Sequence, residues 1–216
     1  MSMRVKICGL SEPVTLKAAI ELGADYVGFV FFEKSLRHIS LEQAAHLGEL
    51  VPGHVMKVAL TVDTDDRHLD DIVEALRPDM LQLHGEETAE RLRALRARYD
   101  LPLMKAIAVA GPEDPIRASI YQDSADLLLF DAKPSKSMPG ALPGGNGLAF
   151  DWSLIAGQRP AMPWMLSGGL TPGNVAEAIR MTGAEAVDVS SGVEIAPGRK
   201  DAGLIEAFIR AAKGKS

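Results

Sequence analysis

The chain is short of cysteine, having only Cys8 among its 216 residues, so no disulfide can form within it. That count excludes a disulfide-stapled secreted domain and favours a reducing compartment. The N-terminus has no apolar run of the length that a signal peptide needs, and no apolar stretch approaches the length of a membrane span. We therefore expect a cytoplasmic protein with no membrane partner.

Positive charge is also scarce. Lys and Arg number 23 against 29 Asp and Glu, which gives a formal net charge of −6 at pH 7. This balance does not favour nucleic acid or an anionic membrane surface as a partner of the whole molecule. It still leaves room for a local basic pocket that binds a single phosphate.

The signatures of metal and cofactor binding are missing as well. The five histidines show no H-x-x-x-H or similar pair, and there is no second cysteine, so we expect no metal site. No G-x-G-x-x-G motif opens a helix after the first strand, so the fingerprint of a nicotinamide or flavin is absent. A proton-transfer reaction without a cofactor fits these absences best.

What the sequence does contain is a repeated rhythm of a short apolar run, a turn and a segment with helical spacing. Several runs are apolar throughout, as expected for parallel strands buried on both faces. Eight strand–helix units joined by right-handed crossovers predict a closed (β/α)8 TIM barrel, with residues 1–216 forming a single domain. The predicted strands are Val5–Ile7, Tyr26–Val30, Val55–Val62, Met80–Leu83, Leu103–Ile107, Leu127–Phe130, Trp164–Leu166 and Ala186–Val189.

Local signals mark the ends of several helices. Ser40 followed by Gln43 predicts a capping box at the start of the second helix. Pro172 suits a position near the start of the seventh helix. Gly23 and Gly183 lie where helices should stop.

Two residues at strand ends are candidates for proton transfer, because barrel active sites lie at the C-terminal ends of the strands. Cys8 ends the first strand. It is either a small buried hydrophobe or, if its pKa is lowered, a thiolate that acts as a base or nucleophile. Asp131 ends the sixth strand, and it is either a helix or loop cap or a partly desolvated acid that donates a proton.

Four further polar residues are expected at the same mouth. Asp188, inside the eighth strand, needs partners if it points inward, so it either positions a substrate hydroxyl or forms an internal ion pair. Arg37 is either a solvated surface charge or a bidentate fork for a substrate carboxylate. Gln82 and His84 end the fourth strand as candidate substrate ligands, although a structural role is the commoner one for such a histidine.

Glycine-rich loops follow the last three strands. In barrels, the loops after strands seven and eight commonly bind phosphate, since glycine lets backbone N–H groups approach phosphate oxygens closely. The glycine-rich stretch after strand six would complete the cradle. The predicted phosphate ligands are Gly145, Gly147, Gly168, Gly169, Ser191 and Gly192.

Short motifs occur in order along nearly the whole chain. They are Lys6–Leu10, Ser35–Arg37, Leu81–Gly85, Leu129–Asp131, Gly144–Gly147, Phe150–Trp152, Ser167–Leu170 and Asp188–Glu194. One such motif would be weak evidence, but their order and spacing over eight units make the set specific. By these motifs the chain resembles the phosphoribosylanthranilate isomerase family of the tryptophan pathway.

The resemblance implies a substrate and a role for each candidate. The reaction would be an Amadori rearrangement of N-(5-phosphoribosyl)anthranilate to 1-(2-carboxyphenylamino)-1-deoxy-D-ribulose 5-phosphate. Asp131 would protonate the furanose ring oxygen as general acid, and Cys8 would remove the C2 proton as general base. Arg37 would hold the anthranilate carboxylate, with Asp188 near the sugar. The partner would be this small molecule alone, and the protein would be a monomer or a homodimer.

Two alternatives stay open at this point. The histidine-pathway barrel isomerase performs the same rearrangement on a related substrate, but that family resembles this chain less, having a carboxylate in place of Cys8 and a second phosphate cradle in its first half. The other alternative is a non-catalytic barrel that senses a sugar phosphate. Such a sensor would keep the glycine loops but would not need Cys8 and Asp131 together.

Overall fold

Eight parallel strands form a closed barrel in chain order, with the last strand pairing with the first. The structure is a computed structural model that describes residues 3–132, 151–156, 160 and 162–214. The strands are β1 Arg4–Cys8, β2 Tyr26–Phe31, β3 Met56–Thr61, β4 Met80–Leu83, β5 Leu103–Val109, β6 Leu127–Ala132, β7 Trp164–Leu166 and β8 Ala186–Val189. The predicted barrel and all eight predicted strands are confirmed.

Helices cover the outside of the barrel, and the described ones are short. They are α1 Pro13–Glu21, α2 Leu41–Glu49, α3 Asp66–Leu76, α4 Ala89–Tyr99, α5 Glu113–Arg117, α6 Val175–Thr182 and α7 Ala202–Ala212. Within the described ranges, no helix has the length and apolar character needed to cross a bilayer.

The predicted helix ends were right in three places and wrong in one. Ser40 and Gln43 form the expected capping box at α2, and Gly183 ends α6 with a φ of +70°. Gly23, with a φ of +91°, follows the last turn of α1. The seventh helical segment, α6, begins at Val175 rather than near Pro172.

Asn174 explains the late start of α6. Its Oδ1 accepts the Thr171 N–H at 2.7 Å, and its Nδ2 donates to the Gly169 carbonyl at 3.0 Å. These bonds stabilise a turn between β7 and the helix. Pro172 therefore lies in the turn, where its fixed φ and missing N–H are tolerated.

Side-chain alternation divides the strands into a face toward the helices and a face toward the barrel interior. On β1, Val5 and Ile7 belong to the large cluster under the helices, so Lys6 and Cys8 face inward. The apolar interior cluster consists of Tyr26, Val58, Met80, Met104, Ala106, Leu127, Leu129, Met165 and Ala186.

The interior changes from apolar to polar toward the C-terminal ends of the strands. Gln82, Asp131, Ser167 and Asp188 each lie two positions beyond a member of the apolar interior cluster. All four are buried, with exposed fractions of 0–7%. The same alternation that fills the barrel therefore directs polar groups into its C-terminal mouth.

A two-stranded hairpin after β8 was not predicted. It consists of β9 Glu194–Ala196 and β10 Arg199–Lys200, which pair antiparallel. Gly198 turns between them with a φ of +80°. The hairpin places Glu194 and Lys200 side by side at the mouth of the barrel.

Candidate active site

Asp131 is held at the mouth by two neighbours. The backbone N–H of Ala132 donates to its Oδ1 at 2.8 Å, and His84 Nε2 lies 3.4 Å from its Oδ2. The Nδ1 atom of His84 lies 2.9 Å from the amide nitrogen of Gln82. If that amide donates, Nδ1 is the acceptor, and the neutral imidazole then carries its proton on Nε2, facing Asp131.

Gln82 and His84 thus form a chain that ends on the proposed acid. Both were predicted as candidate substrate ligands, with a structural role the commoner one for His84, and the contact with substrate stays a prediction. The contacts add a second role, because they fix the direction of the Asp131 carboxyl group. A Cβ atom on Gly168 would lie 3.2 Å from Asp131 Oδ1. The backbone of the loop after β7 therefore lies directly against Asp131.

Asp188 forms an internal ion pair, one of the two roles expected for it. Lys6 Nζ donates to its Oδ1 at 2.9 Å, and Ser167 Oγ donates to its Oδ2 at 3.1 Å. Lys6 is fully buried. Lys6 belongs to the motif Lys6–Leu10, but its pairing with Asp188 was not predicted. The available signal was a lysine that alternates with buried Val5 and Ile7, which directs it into the barrel.

Cys8 lies beside this ion pair, deep in the mouth. Burial raises the pKa of the Cys8 thiol, Lys6 opposes that rise, and Asp188 adds to it. Burial and Asp188 thus oppose the thiolate form that a base requires, and Lys6 favours it. A Cβ atom at Gly28 would lie 2.9 Å from the sulfur, so the glycine on β2 leaves the space that Sγ occupies.

Arg37 is not a solvated surface charge, since only 8% of the residue is exposed. Its Nε and Nη2 donate to Glu194 at 2.7 and 2.8 Å, which is a bidentate ion pair. Its aliphatic stem passes over Gly9, where a Cβ atom would lie 2.7 Å from Arg37 Cδ. The glycine that follows Cys8 therefore brings Arg37 next to the proposed base.

Glu194 also binds Lys200, whose Nζ lies 2.6 Å from Glu194 Oε1 and within 3.2 Å of both oxygens of Ser190. Burial would raise the pKa of Glu194, but the bonds from Arg37 and Lys200 outweigh it and lower that pKa to about 2. No role was predicted from the sequence for Glu194 or Lys200. The dipeptide Pro197-Gly198 between them is a turn signal that could have predicted the turn, although not the two short strands that it joins.

The two described glycine loops pack against each other. A Cβ atom on Gly192 would overlap the carbonyl oxygen of Leu170, so only glycine fits at that position. Gly168 and Gly169 have φ values of +84° and +64°, in the left-handed region that favours glycine. Ser191 begins a short helical turn directly after β8.

The structure therefore brings four of the predicted phosphate ligands to one place beside Asp131 and Asp188. Their binding of phosphate stays a prediction. Gly145 and Gly147 lie outside the described residues. Among the residues that are described, no group of three or more His, Cys, Asp or Glu side chains could hold a metal ion.

Sequence comparisons identify relatives over the whole barrel. The model of the family described as N-(5'phosphoribosyl)anthranilate (PRA) isomerase matches residues 5–211. The N-(5'-phosphoribosyl)anthranilate isomerase of Parvibaculum lavamentivorans is 71% identical over 213 residues, which cover 99% of each protein.

Solved structures give the same result. Phosphoribosyl anthranilate isomerase from Thermotoga maritima superposes with a TM-score of 0.87 at 39% identity, covering 98% of this chain and 99% of that one. A phosphoribosyl anthranilate isomerase in complex with reduced 1-(o-carboxyphenylamino)-1-deoxyribulose 5-phosphate superposes with a TM-score of 0.85 at 38% identity and equal coverage. The family match, the sequence identity and the shared barrel agree, and the chain belongs to the N-(5'-phosphoribosyl)anthranilate isomerase family.

Proposed function

We propose that the chain converts N-(5-phosphoribosyl)anthranilate into 1-(2-carboxyphenylamino)-1-deoxy-D-ribulose 5-phosphate by acid–base catalysis. One observation carries the proposal. A buried thiol and a buried carboxyl group, Cys8 and Asp131, end two strands at the same mouth of the barrel, next to paired glycine loops. In a chain of this family, such a pair suits a rearrangement that moves protons within one substrate and needs no external oxidant or reductant.

Asp131 is the proposed general acid. It would give its proton to the furanose ring oxygen, so that the C1–O bond breaks and the ring opens to a Schiff base. The contacts with Ala132 N–H and His84 hold the carboxyl group in one direction, which proton transfer to one substrate atom requires.

Cys8 is the proposed general base. As a thiolate, it would take the proton from C2 of the Schiff base, and the electrons of the C–H bond would form the C1–C2 double bond of an enolamine. The enolamine gains a proton at C1 and loses one from the C2 hydroxyl to give the ketone. Lys6 and Lys200 support this step, because their positive charges favour the thiolate that burial disfavours.

Binding groups surround these two residues. Arg37 would hold the anthranilate carboxylate beside Cys8, and the loops that contain Gly168, Gly169, Ser191 and Gly192 would hold the phosphate. We also propose that the protein works in the cytoplasm, since its only cysteine must stay reduced to act as a base.

Turnover of two substrates tests the proposal. The purified chain should consume N-(5-phosphoribosyl)anthranilate, followed by the fluorescence of its aminobenzoate group, and should be much slower on the phosphoribosyl substrate of the histidine pathway. Activity on the histidine precursor alone would contradict the choice of substrate. Binding of both without turnover of either would favour a sugar-phosphate sensor over an enzyme.

A further inference from the structure

In the mouth of the barrel, the guanidinium of Arg37 is paired with the carboxylate of Glu194. We propose that Glu194 is a positioning residue, which holds the guanidinium of Arg37 in the orientation that receives the carboxylate of the substrate's aromatic ring. This inference rests on the proposed function, since it concerns the group that distinguishes the anthranilate substrate from other phosphoribosyl compounds.

The geometry of the pair fixes the guanidinium plane. Glu194 engages Arg37 along one edge, through Nε and Nη2, and the two side chains are only 4% and 9% exposed. A bidentate pair of this kind has one planar arrangement, whereas a single contact would let the guanidinium rotate. The bidentate contact with Glu194 therefore fixes the plane in which the guanidinium of Arg37 lies.

Glu194 is itself rigidly held by the hairpin that contains it. Its Oε1 accepts from Lys200 at 2.6 Å, and its Oε2 accepts the backbone N–H of Gly198 at 3.1 Å. Each carboxylate oxygen thus has one donor from Arg37 and one from the hairpin. Arg37 lies 157 positions earlier in the chain, so the pair couples the loop after β2 to the segment after β8.

Charge explains why Lys200 is needed in this cluster. Arg37 and Glu194 alone would be neutral as a pair and would attract an anionic ligand weakly. Lys200 is buried, with a side-chain exposure of 1%; burial lowers its pKa and Glu194 opposes that fall, and in its protonated form Lys200 adds a second positive charge to the cluster. Glu194 can therefore orient Arg37 without cancelling the attraction for a carboxylate.

The stem of Arg37 is fixed from the other side. Its Cδ passes so close to Gly9 that a Cβ atom there would lie 2.7 Å away. With both stem and head fixed, little rotamer entropy remains to be lost when a carboxylate binds. The pair thereby prepares the binding site in advance.

The test compares two ligands on the intact protein by calorimetry. The first is reduced 1-(o-carboxyphenylamino)-1-deoxyribulose 5-phosphate, and the second is its phenylamino counterpart, which lacks the carboxylate. In Glu194→Gln, the first ligand should bind at least about tenfold more weakly, the scale of one lost charge-assisted contact, and the second should be almost unaffected. Glu194→Ala should show a larger loss with the same selectivity.

Glu206→Gln is the matched control. Glu206 lies on α7 with a side chain 48% exposed and pairs only loosely with Arg210 at 3.5 Å, so neither ligand should change affinity.

Each other outcome has a distinct meaning. Equal weakening of both ligands would reduce Glu194 to a structural role. Tighter binding of the carboxylated ligand would show that the negative charge of Glu194 merely repels the substrate. Either result overturns the positioning role while the proposed function stands. Wild-type protein that binds neither ligand would overturn the proposed function first.

Discussion

Single residues around Cys8 decide how readily its thiol ionises. Burial raises the pKa of Cys8, Lys6 lowers it, Asp188 raises it and Lys200 lowers it. The proposed base is thus a thiol whose ionisation is opposed by burial and Asp188 and favoured by two buried cations. A base needs its deprotonated form, so its activity rises as the pH passes upward through its pKa.

Replacing Lys6 with Met should raise the pKa of Cys8 further, because a cation that favours the thiolate is removed. The rising limb of the pH profile of kcat/KM should move to higher pH. Alkylation by iodoacetamide should show the same movement, and its signal is unambiguous since the chain has one cysteine.

Lys17→Met provides the comparison for this experiment. Lys17 is exposed on α1, so its loss should leave both pH profiles in place. If Lys6→Met and Lys17→Met gave the same profiles as the wild type, Lys6 would have no part in the ionisation of Cys8.

The candidate acid and base could be identified from the sequence, but the charged partners Lys6, Glu194 and Lys200 could not. Cys8 and Asp131 were identifiable because each lies at the C-terminal end of a predicted strand. Lys6 and its partner Asp188 are 182 positions apart, and no local pattern joins residues at that distance. Glu194 and Lys200 were missed for the same reason, since their importance appears only when the barrel brings Arg37 to them.

Secondary-structure elements were predicted where one periodicity dominated. The strands were found because runs such as Leu127–Phe130 are apolar throughout, as burial on both faces requires. The short hairpin β9–β10 was missed, since strands of three and two residues carry too little pattern. The start of α6 was misplaced because Pro172 indicated a helix start near that residue. The hydrogen bonds of the Asn174 side chain instead stabilise a turn there, so that the helix begins later.

The contact between the loops after β7 and β8 gives a prediction at this scale. Gly192→Ala should force the two loops apart, because the new methyl group would overlap the Leu170 carbonyl oxygen. We expect about 1–3 kcal/mol of destabilisation, the usual cost of overpacking. KM for the phosphorylated substrate should rise more than kcat falls, since the predicted phosphate ligands lie in these loops.

Thermal unfolding and steady-state kinetics check this prediction, with Gly53→Ala as the reference. A Cβ atom on Gly53 has no neighbour within 4 Å, so that variant should behave as the wild type does. An unchanged KM in a destabilised Gly192→Ala protein would separate these loops from substrate binding.

At the scale of the whole molecule, closure of the barrel brings the residues of the candidate site together. Parallel strands in order bring all eight C-terminal ends to one mouth, and pairing of β1 with β8 sets Cys8 near Asp188. The closed topology could be predicted from eight repeated units alone. The polar groups at the mouth could not be paired in advance, because their partners depend on which strands the closure makes neighbours.

The central claim is that Cys8 and Asp131 move the protons of the rearrangement, and it is tested most directly by turnover of N-(5-phosphoribosyl)anthranilate in two variants. Cys8→Ala and Asp131→Asn should each lose at least ~10²-fold in kcat, the usual share of one positioned proton-transfer group. Both should still bind the reduced product analogue with nearly wild-type affinity. Wild-type kcat in either variant would contradict the account and remove that residue from the mechanism.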